Sequence, residues 1–357
     1  MKVSLNCKLD PTGAYGFIKP IADIDLVTGI DVFRDKHALP CPKVKYHTPY
    51  FPQGGFLGQC SKLIKMLQTV NQDTELAIGI YEIPHGLLAF LIGKIRNIPV
   101  VISIIGNPGY AKLRKGLRKK ITYYMLKRAD AITVTGKKSK EFLVSDGIKS
   151  SLIHILPNSI DTELFKSDRE DTYFDIISLG RLSSEKELQN LLKIAAELKK
   201  EIPKIKVGIA GKGSEKGKLK SLINELFLQD NVELVGFVDD IAQFYNSGKI
   251  FVLTSSTEGL PRTVIEAMAC GVPSVASNVG DMEDIIIDGE NGFLVNKYDD
   301  IDDYVTKISI LLSDKNKYKQ FSQNGIRVSR EKFSYHAATK VWESVINEVT
   351  GDRKSVK

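Results

Sequence analysis

Glu258 and Glu266 stand eight residues apart, across a turn that opens a short helix. The stretch reads Ser256-Thr257-Glu258-Gly259-Leu260-Pro261-Arg262-Thr263-Val264-Ile265-Glu266-Ala267-Met268-Ala269-Cys270-Gly271-Val272-Pro273. Gly259 and Pro261 signal the helix start, since the fixed φ of proline suits a first helical position. Gly271, placed to take left-handed backbone, and Pro273 beyond it signal the stop. Ile250 to Thr254 before the helix and Ser274 to Ser277 after it read as buried strands, so the unit belongs to a parallel sheet. Such sheets bind ligands beyond the carboxyl ends of their strands, where helix N-termini offer N–H groups to anions. Glu258 is expected in that crevice, and Glu266 about two turns into the helix. A carboxylate beside an anion-binding helix end suits a neutral polyol joined to phosphate, which is the chemistry of a nucleotide sugar. Two glutamates at this spacing also occur on solvated helix faces, so the pair alone does not decide the matter.

Two further segments fall on the same expected edge. Gly180-Arg181-Leu182-Ser183-Ser184-Glu185-Lys186 follows the strand Phe174 to Leu179. An arginine and a lysine a turn apart are commonly a solvated surface. At a strand's carboxyl end they are placed to hold a diphosphate, Arg181 as a planar donor fork and Lys186 as a point charge. Ala210-Gly211-Lys212-Gly213-Ser214-Glu215 follows the strand Lys206 to Ala210, and its glycines permit either a tight turn or a close approach of backbone to ligand.

These elements must be positioned by a larger frame. Helical periodicity from Leu188 to Lys199, from Glu215 to Phe227 and near Ile241 to Tyr245 alternates with strands, including Val232 to Val235, which argues for a parallel sheet with right-handed crossovers. The first half repeats the pattern with strands at Val3 to Asn6, Leu76 to Ile80, Val100 to Ile104, Ala131 to Val134 and Leu152 to Leu156. Residues 28–53 give no assignment. The chain has 357 residues, enough for two α/β domains. Its net charge of +7 permits anionic partners without establishing nucleic-acid binding, and no nucleic-acid module accompanies it. Cys7, Cys41, Cys60 and Cys270 lack metal-ligand spacing and fit reduced thiols in a cytoplasm. The N-terminal residues lack the apolar run of a signal peptide, and no apolar stretch is long enough to span a bilayer.

Glu-Gly-Leu-Pro at residues 258–261, followed by Glu-Ala-Met-Ala-Cys-Gly-Val-Pro at 266–273, resembles the nucleotide-sugar motif of retaining GT-B glycosyltransferases of family 4 (glycosyl transferases group 1). Leu156-Pro157-Asn158-Ser159-Ile160-Asp161 resembles that family's interdomain segment, with Ser159 where glycine is usual. The resemblance implies two Rossmann-like domains facing across a cleft. Residues 1–158, completed by a C-terminal helix over 335–357 that carries Trp342, would bind the acceptor, and 159–334 the nucleotide sugar. It further implies that Arg181 and Lys186 neutralise the departing nucleoside diphosphate, that Glu266 accepts hydrogen bonds from the ribose, and that Glu258 contacts the transferred sugar. Backbone of Gly259, Leu260, Pro261 and Arg262 would cradle the phosphates, and Gly211, Gly213, Gly236 and Phe237 would lie around the base. No metal or other cofactor is expected.

The first half departs from the family pattern. Ile105, in Ile104-Ile105-Gly106-Asn107, stands where the family commonly has histidine. Glu82 and His85 follow another strand and are candidates for acceptor-side polar groups, as is Asn107. Gly13, Tyr15 and Gly16 sit where the family has a glycine loop. Residues 112–128 are basic throughout, with Leu, Ile, Tyr and Met interleaved. They read either as a helix with one solvated face or as a dock for anionic lipid at the inner face of the cell membrane. The expected activity is hexosyl transfer from a nucleoside-diphosphate sugar to a saccharide or lipid-linked acceptor with retention, in polysaccharide or glycolipid synthesis, by a monomer or weak homodimer. The alternatives are a partner subunit that binds sugar nucleotide without catalysis, motivated by Ile105, and a basic membrane scaffold without nucleotide affinity.

Overall fold

The structure, a computed structural model, describes residues 1–35, 39–51, 55–108, 115–168 and 172–354. It divides into two compact units, Met1–Ser159 with Tyr335–Lys357, and Ile160–Ser334.

The first unit begins with β1 (Lys2–Asn6), α1 (Pro11–Ala22), β2 (Gly29–Phe33), β3 (Val44–His47), α2 (Phe56–Thr69) and β4 (Thr74–Ile80). It continues through α3 (Leu87–Arg96), β5 (Val100–Ile104), α4 (Gly116–Leu126), β6 (Ala131–Val134), α5 (Lys137–Ser145) and β7 (Ile153–Ile155). Its strands form one sheet in the order β3-β2-β1-β4-β5-β6-β7, every pairing parallel. Strands buried on both faces read as near-continuous apolar runs, and Val100–Ile104 is buried at every position.

The second unit holds β8 (Phe174–Leu179), α6 (Leu188–Glu201), β9 (Val207–Ala210), α7 (Lys216–Glu225), β10 (Val232–Gly236) and α8 (Ile241–Asn246). Then come β11 (Gly248–Leu253), α9 (Arg262–Ala269), β12 (Ser274–Ser277), β13 (Gly292–Val295), α10 (Ile301–Ser313) and α11 (Lys315–Phe333). The parallel order is β10-β9-β8-β11-β12-β13, so the chain reverses its direction of travel across the sheet between β8 and β11. That reversal opens a crevice at the strands' carboxyl ends.

The last helix, α12 (Tyr335–Lys354), belongs to the first unit and packs on α1. Trp342 is buried there with its ring edge-on to Phe17, centroids 5.6 Å apart, and the Thr339 hydroxyl donates to the Pro20 carbonyl at 3.1 Å. Ser159, in place of the family's glycine, donates its hydroxyl to the Gly16 carbonyl at 3.0 Å.

Two expectations need correction, and one gap is filled. Gly13, Tyr15 and Gly16 are not a glycine loop but lie within α1, because Asp10 caps the Gly13 N–H at 2.8 Å and Pro11 supplies a helical φ at the first position. Pro261 is the N-cap of α9 (φ −71°, ψ 117°) rather than its first residue, and Glu266, four residues after Arg262, lies about one turn into the helix and not two. Residues 28–53, unassigned from sequence, contain β2 and β3.

Candidate active site in the second unit

The crevice at the β8–β11 reversal is lined by Ser178, Gly180, Arg181, Lys186, Thr254 and Ser255, among others. The segment after β8 is pinned from both sides. Thr254 donates its hydroxyl to the Lys186 carbonyl at 3.0 Å, and the Ser256 N–H donates to the Glu185 carbonyl at 3.0 Å. Glu187 then takes left-handed backbone (φ 48°, ψ 38°) before α6 begins. A non-glycine residue held there stores local strain, which the flanking hydrogen bonds maintain.

Lys186 and Glu258, 72 residues apart in sequence, meet in an ion pair with Nζ 2.6 Å from Oε1. Ser255 donates to the same carboxylate oxygen at 2.7 Å. Neither partner is free to wander, since the lysine side chain is 17% exposed and the glutamate 13%. Arg181 behaves differently: it is 79% exposed and pairs with Glu185 at 3.1 Å. An exposed pair of this kind contributes little to stability, so Arg181 is available for another anion.

Glu266 is buried within α9. Its Oε2 accepts from the Tyr245 hydroxyl at 3.0 Å, and its Oε1 lies 3.5 Å from Arg262. Burial, reinforced by the Glu266 charge, raises the Tyr245 phenol well above its usual range, so it remains a donor that holds the carboxylate in place. Leu260 is buried in the core.

The glycines have a packing reason that sequence left open. A Cβ on Gly211 (φ 139°) would stand 1.8 Å from the Gly180 carbonyl oxygen, and one on Gly213 would stand 2.1 Å from that of Leu182. The loop after β9 therefore lies directly on the loop after β8, and only glycine permits it. Gly236 (φ 86°) ends β10, and the exposed Phe237 ring beyond it carries Lys212 Nζ 4.7 Å from its centroid.

The acceptor-side candidates lie in the first unit. Glu82 and His85 are buried in the turn Glu82–Gly86, and the His85 carbonyl accepts from Asn6 Nδ2 at 3.1 Å. Tyr15 sits edge-on to Tyr335. Ile105 packs against the first unit's core, and Asn107 is half-buried. Of the basic segment, residues 112–114 lie outside the described residues, while Lys115 to Lys120 are all exposed. Sequence reading missed Tyr245, Ser255, Thr254 and Glu185. The first reads as an ordinary core aromatic, and the others act through contacts that only the sheet order creates.

The chain matches the family described as Glycosyl transferases group 1 over residues 159–328 and that described as Glycosyltransferase Family 4 over residues 32–164. An uncharacterised glycosyltransferase of Haemophilus influenzae is 34% identical over 48% of this chain and 48% of its own length. Sulfoquinovosyl transferase SQD2 of Arabidopsis thaliana is 28% identical over 70% of this chain and 52% of its own. The capsular polysaccharide biosynthesis glycosyltransferase CapM of Staphylococcus aureus is 25% identical over 80% of both. The match thus spans about half the length of the first two of these relatives. Anabaena Alr3699/HepE, solved in complex with UDP-glucose, superposes with a TM-score of 0.79 at 19% identity, over 97% of this chain and 100% of that one, a likeness of fold. The chain belongs to the group 1 glycosyltransferases of GT-B fold.

Proposed function

We propose that the protein transfers a hexose from a nucleoside-diphosphate sugar to a saccharide or lipid-linked acceptor, with retention at the anomeric carbon, in the synthesis of a polysaccharide or glycolipid. The observation that carries this reading is the convergence of Arg181, Lys186 and Glu258 on the β8–β11 crevice of the second unit. Arg181 and Lys186 would neutralise charge that grows on the leaving diphosphate, assisted by the backbone that opens α9 at Gly259 to Arg262. Glu258, already sharing Lys186, would accept from hydroxyls of the sugar, and Glu266, held by Tyr245, from those of the ribose. Gly211, Gly213, Gly236 and Phe237 would border the base. Positive charge supplied by side chains and a helix end leaves no role that calls for a metal. The second unit is the donor domain in this reading, and the first is the acceptor domain.

UDP-sugars are the first donors to test, because the Anabaena relative in fold was solved with UDP-glucose. The test is turnover with a panel of UDP-, GDP- and ADP-sugars, including slow hydrolysis of the donor without acceptor. One donor class should be consumed, and Lys186→Ala should slow its consumption about a hundred- to a thousandfold, the usual effect of losing a group that acts on transition-state charge. Tight nucleotide binding with no turnover of any donor would instead favour the non-catalytic partner subunit that Ile105 motivates.

A further inference from the structure

The first unit gathers, at the carboxyl ends of β1, β2 and β4, charged side chains for which the donor reading has no use. Arg34 follows β2, with its N–H tied to the His47 carbonyl at 3.1 Å, level with Cys7, whose N–H donates to the Phe33 carbonyl at 3.3 Å. The Arg34 side chain is only 4% exposed. Its Nη2 donates to the Leu9 carbonyl at 2.8 Å, while Nε and Nη1 have no acceptor among the described residues. Lys62, on the inner face of α2, is 1% exposed. Its Nζ lies 3.1 Å from Asp35 Oδ1 yet makes no aligned hydrogen bond. His85 is 3% exposed, and its Nδ1 has no partner among the described residues.

These groups form one patch. Asp35, the residue after Arg34, pairs with Lys62, and Asn6 at the end of β1 donates to the His85 carbonyl, which brings these groups to one end of the sheet. Burial first, and Lys62 second, lower the His85 pKa to about 4, so the ring is neutral and able to donate from one nitrogen. Arg34 and Lys62 face the carboxylate of Asp35, with the exposed Lys8 beyond them; burial lowers the Lys62 pKa and the Asp35 charge opposes that shift. A buried cation with unmet donors is costly to keep unless a counter-charge arrives to engage them. The patch lies where the first sheet reverses between β1 and β4, the same topological position that forms the crevice of the second unit.

We propose that Arg34, Lys62 and His85 form a binding site for a compact tetrahedral oxyanion, a phosphate or phosphomonoester. Resting on the glycosyltransferase reading, the site holds an anionic group carried by the acceptor. The buried guanidinium keeps two N–H groups without an acceptor among the described residues, which suit the oxygens of a tetrahedral anion. A rigid guanidinium beside an ammonium also offers both directional donors and a point charge to tetrahedral oxygens.

Calorimetric titration of the full chain with inorganic phosphate and with glycerol 3-phosphate tests this site. Binding should weaken at least tenfold in Arg34→Gln and in Lys62→Met. It should stay within about threefold of the parent in the Arg181→Ala, Lys186→Ala double variant, which removes the cations of the other crevice. Lys62→Met removes a buried charge at little change of volume, so it keeps the test open should Arg34→Gln fail to fold by thermal melting. Absence of phosphate binding by the parent, or loss only in the double variant, would overturn the proposal. Nucleotide-sugar affinity, measured in the same proteins, separates the two readings. A chain that holds phosphate through Arg34 and Lys62 but binds no nucleotide sugar keeps the anion site and loses its assignment to the acceptor.

Discussion

The two carboxylates of the candidate active site are held by different means, and this gives them different expected phenotypes. Glu266 is fixed by a neutral phenol and lies beside Arg262, so removing it leaves the Tyr245 hydroxyl buried without its partner. Glu266→Ala should therefore weaken free nucleoside diphosphate and sugar donor alike, by about 1.5–3 kcal/mol, the usual worth of a hydrogen bond to a charged group. Glu258 instead competes for Lys186 at 2.6 Å. Glu258→Ala releases that lysine, so free nucleoside diphosphate should bind at least as well as to the parent while donor turnover falls. Calorimetry with the free nucleotide beside a transfer assay decides the point, and equal losses in both variants would contradict the division of roles. Neither pairing was readable from sequence. Glu258 and Glu266 were visible as a spaced pair, but Lys186 and Tyr245 reach them only because β8, α8 and β11 come together in the folded sheet.

Among the elements, α4 carries the membrane question. Lys115, Lys119 and Lys120 are exposed, as are Leu117 (72%) and Tyr124, and α3 bridges α4 to α2, where Phe56 (82%) and Leu57 are also exposed. Exposed apolar residues beside clustered cations support the proposal that this side of the first unit docks on anionic lipid. Among the described residues no helix is long and apolar enough to cross a membrane. Changing Lys115, Lys119 and Lys120 to glutamine should weaken co-sedimentation with anionic vesicles about a hundredfold, at about 1 kcal/mol per cation. Donor affinity should be unchanged, because that site lies in the other unit. If the triple variant pellets as fully as the parent, α4 is a solvated face. The elements themselves differed in legibility for physical reasons. The segment β11–α9–β12 was plain because Gly259, Pro261, Gly271 and Pro273 punctuate two apolar runs. Helix α1 was obscure because Pro11, Gly13, Gly16 and Pro20 all fall inside it, and residues typical of loops hid its apolar face. Strand β3 was obscure because only His47 of its four residues is buried, so Val44–His47 lacks an apolar run. Of the Arg34 patch only His85 was visible, because Arg34 follows β2 within the unassigned residues 28–53.

On the scale of the whole molecule, the first unit is discontinuous in sequence and closed by α12. Trp342, Val345 and Ile346 are buried there in the core that also holds Val3, Leu5 and Ile78. Trp342→Ala should cost about 3–5 kcal/mol, the range for truncating a buried large aromatic. Amide exchange should show that loss in β1 and β4 and leave β8 and β11 protected. Uniform deprotection of both sheets would show that the two units do not hold their stability separately.

The return of α12 also sets an order in time. The ribosome must make all of Ile160–Ser334 before it reaches the helix that closes the first core. At about 5–20 residues per second, that interval lasts roughly ten to thirty-five seconds. Throughout it, the half made first waits with the apolar face of α1 uncovered, while the half made second can complete every contact it needs. The part of the chain synthesised earliest is thus the part that finishes folding last.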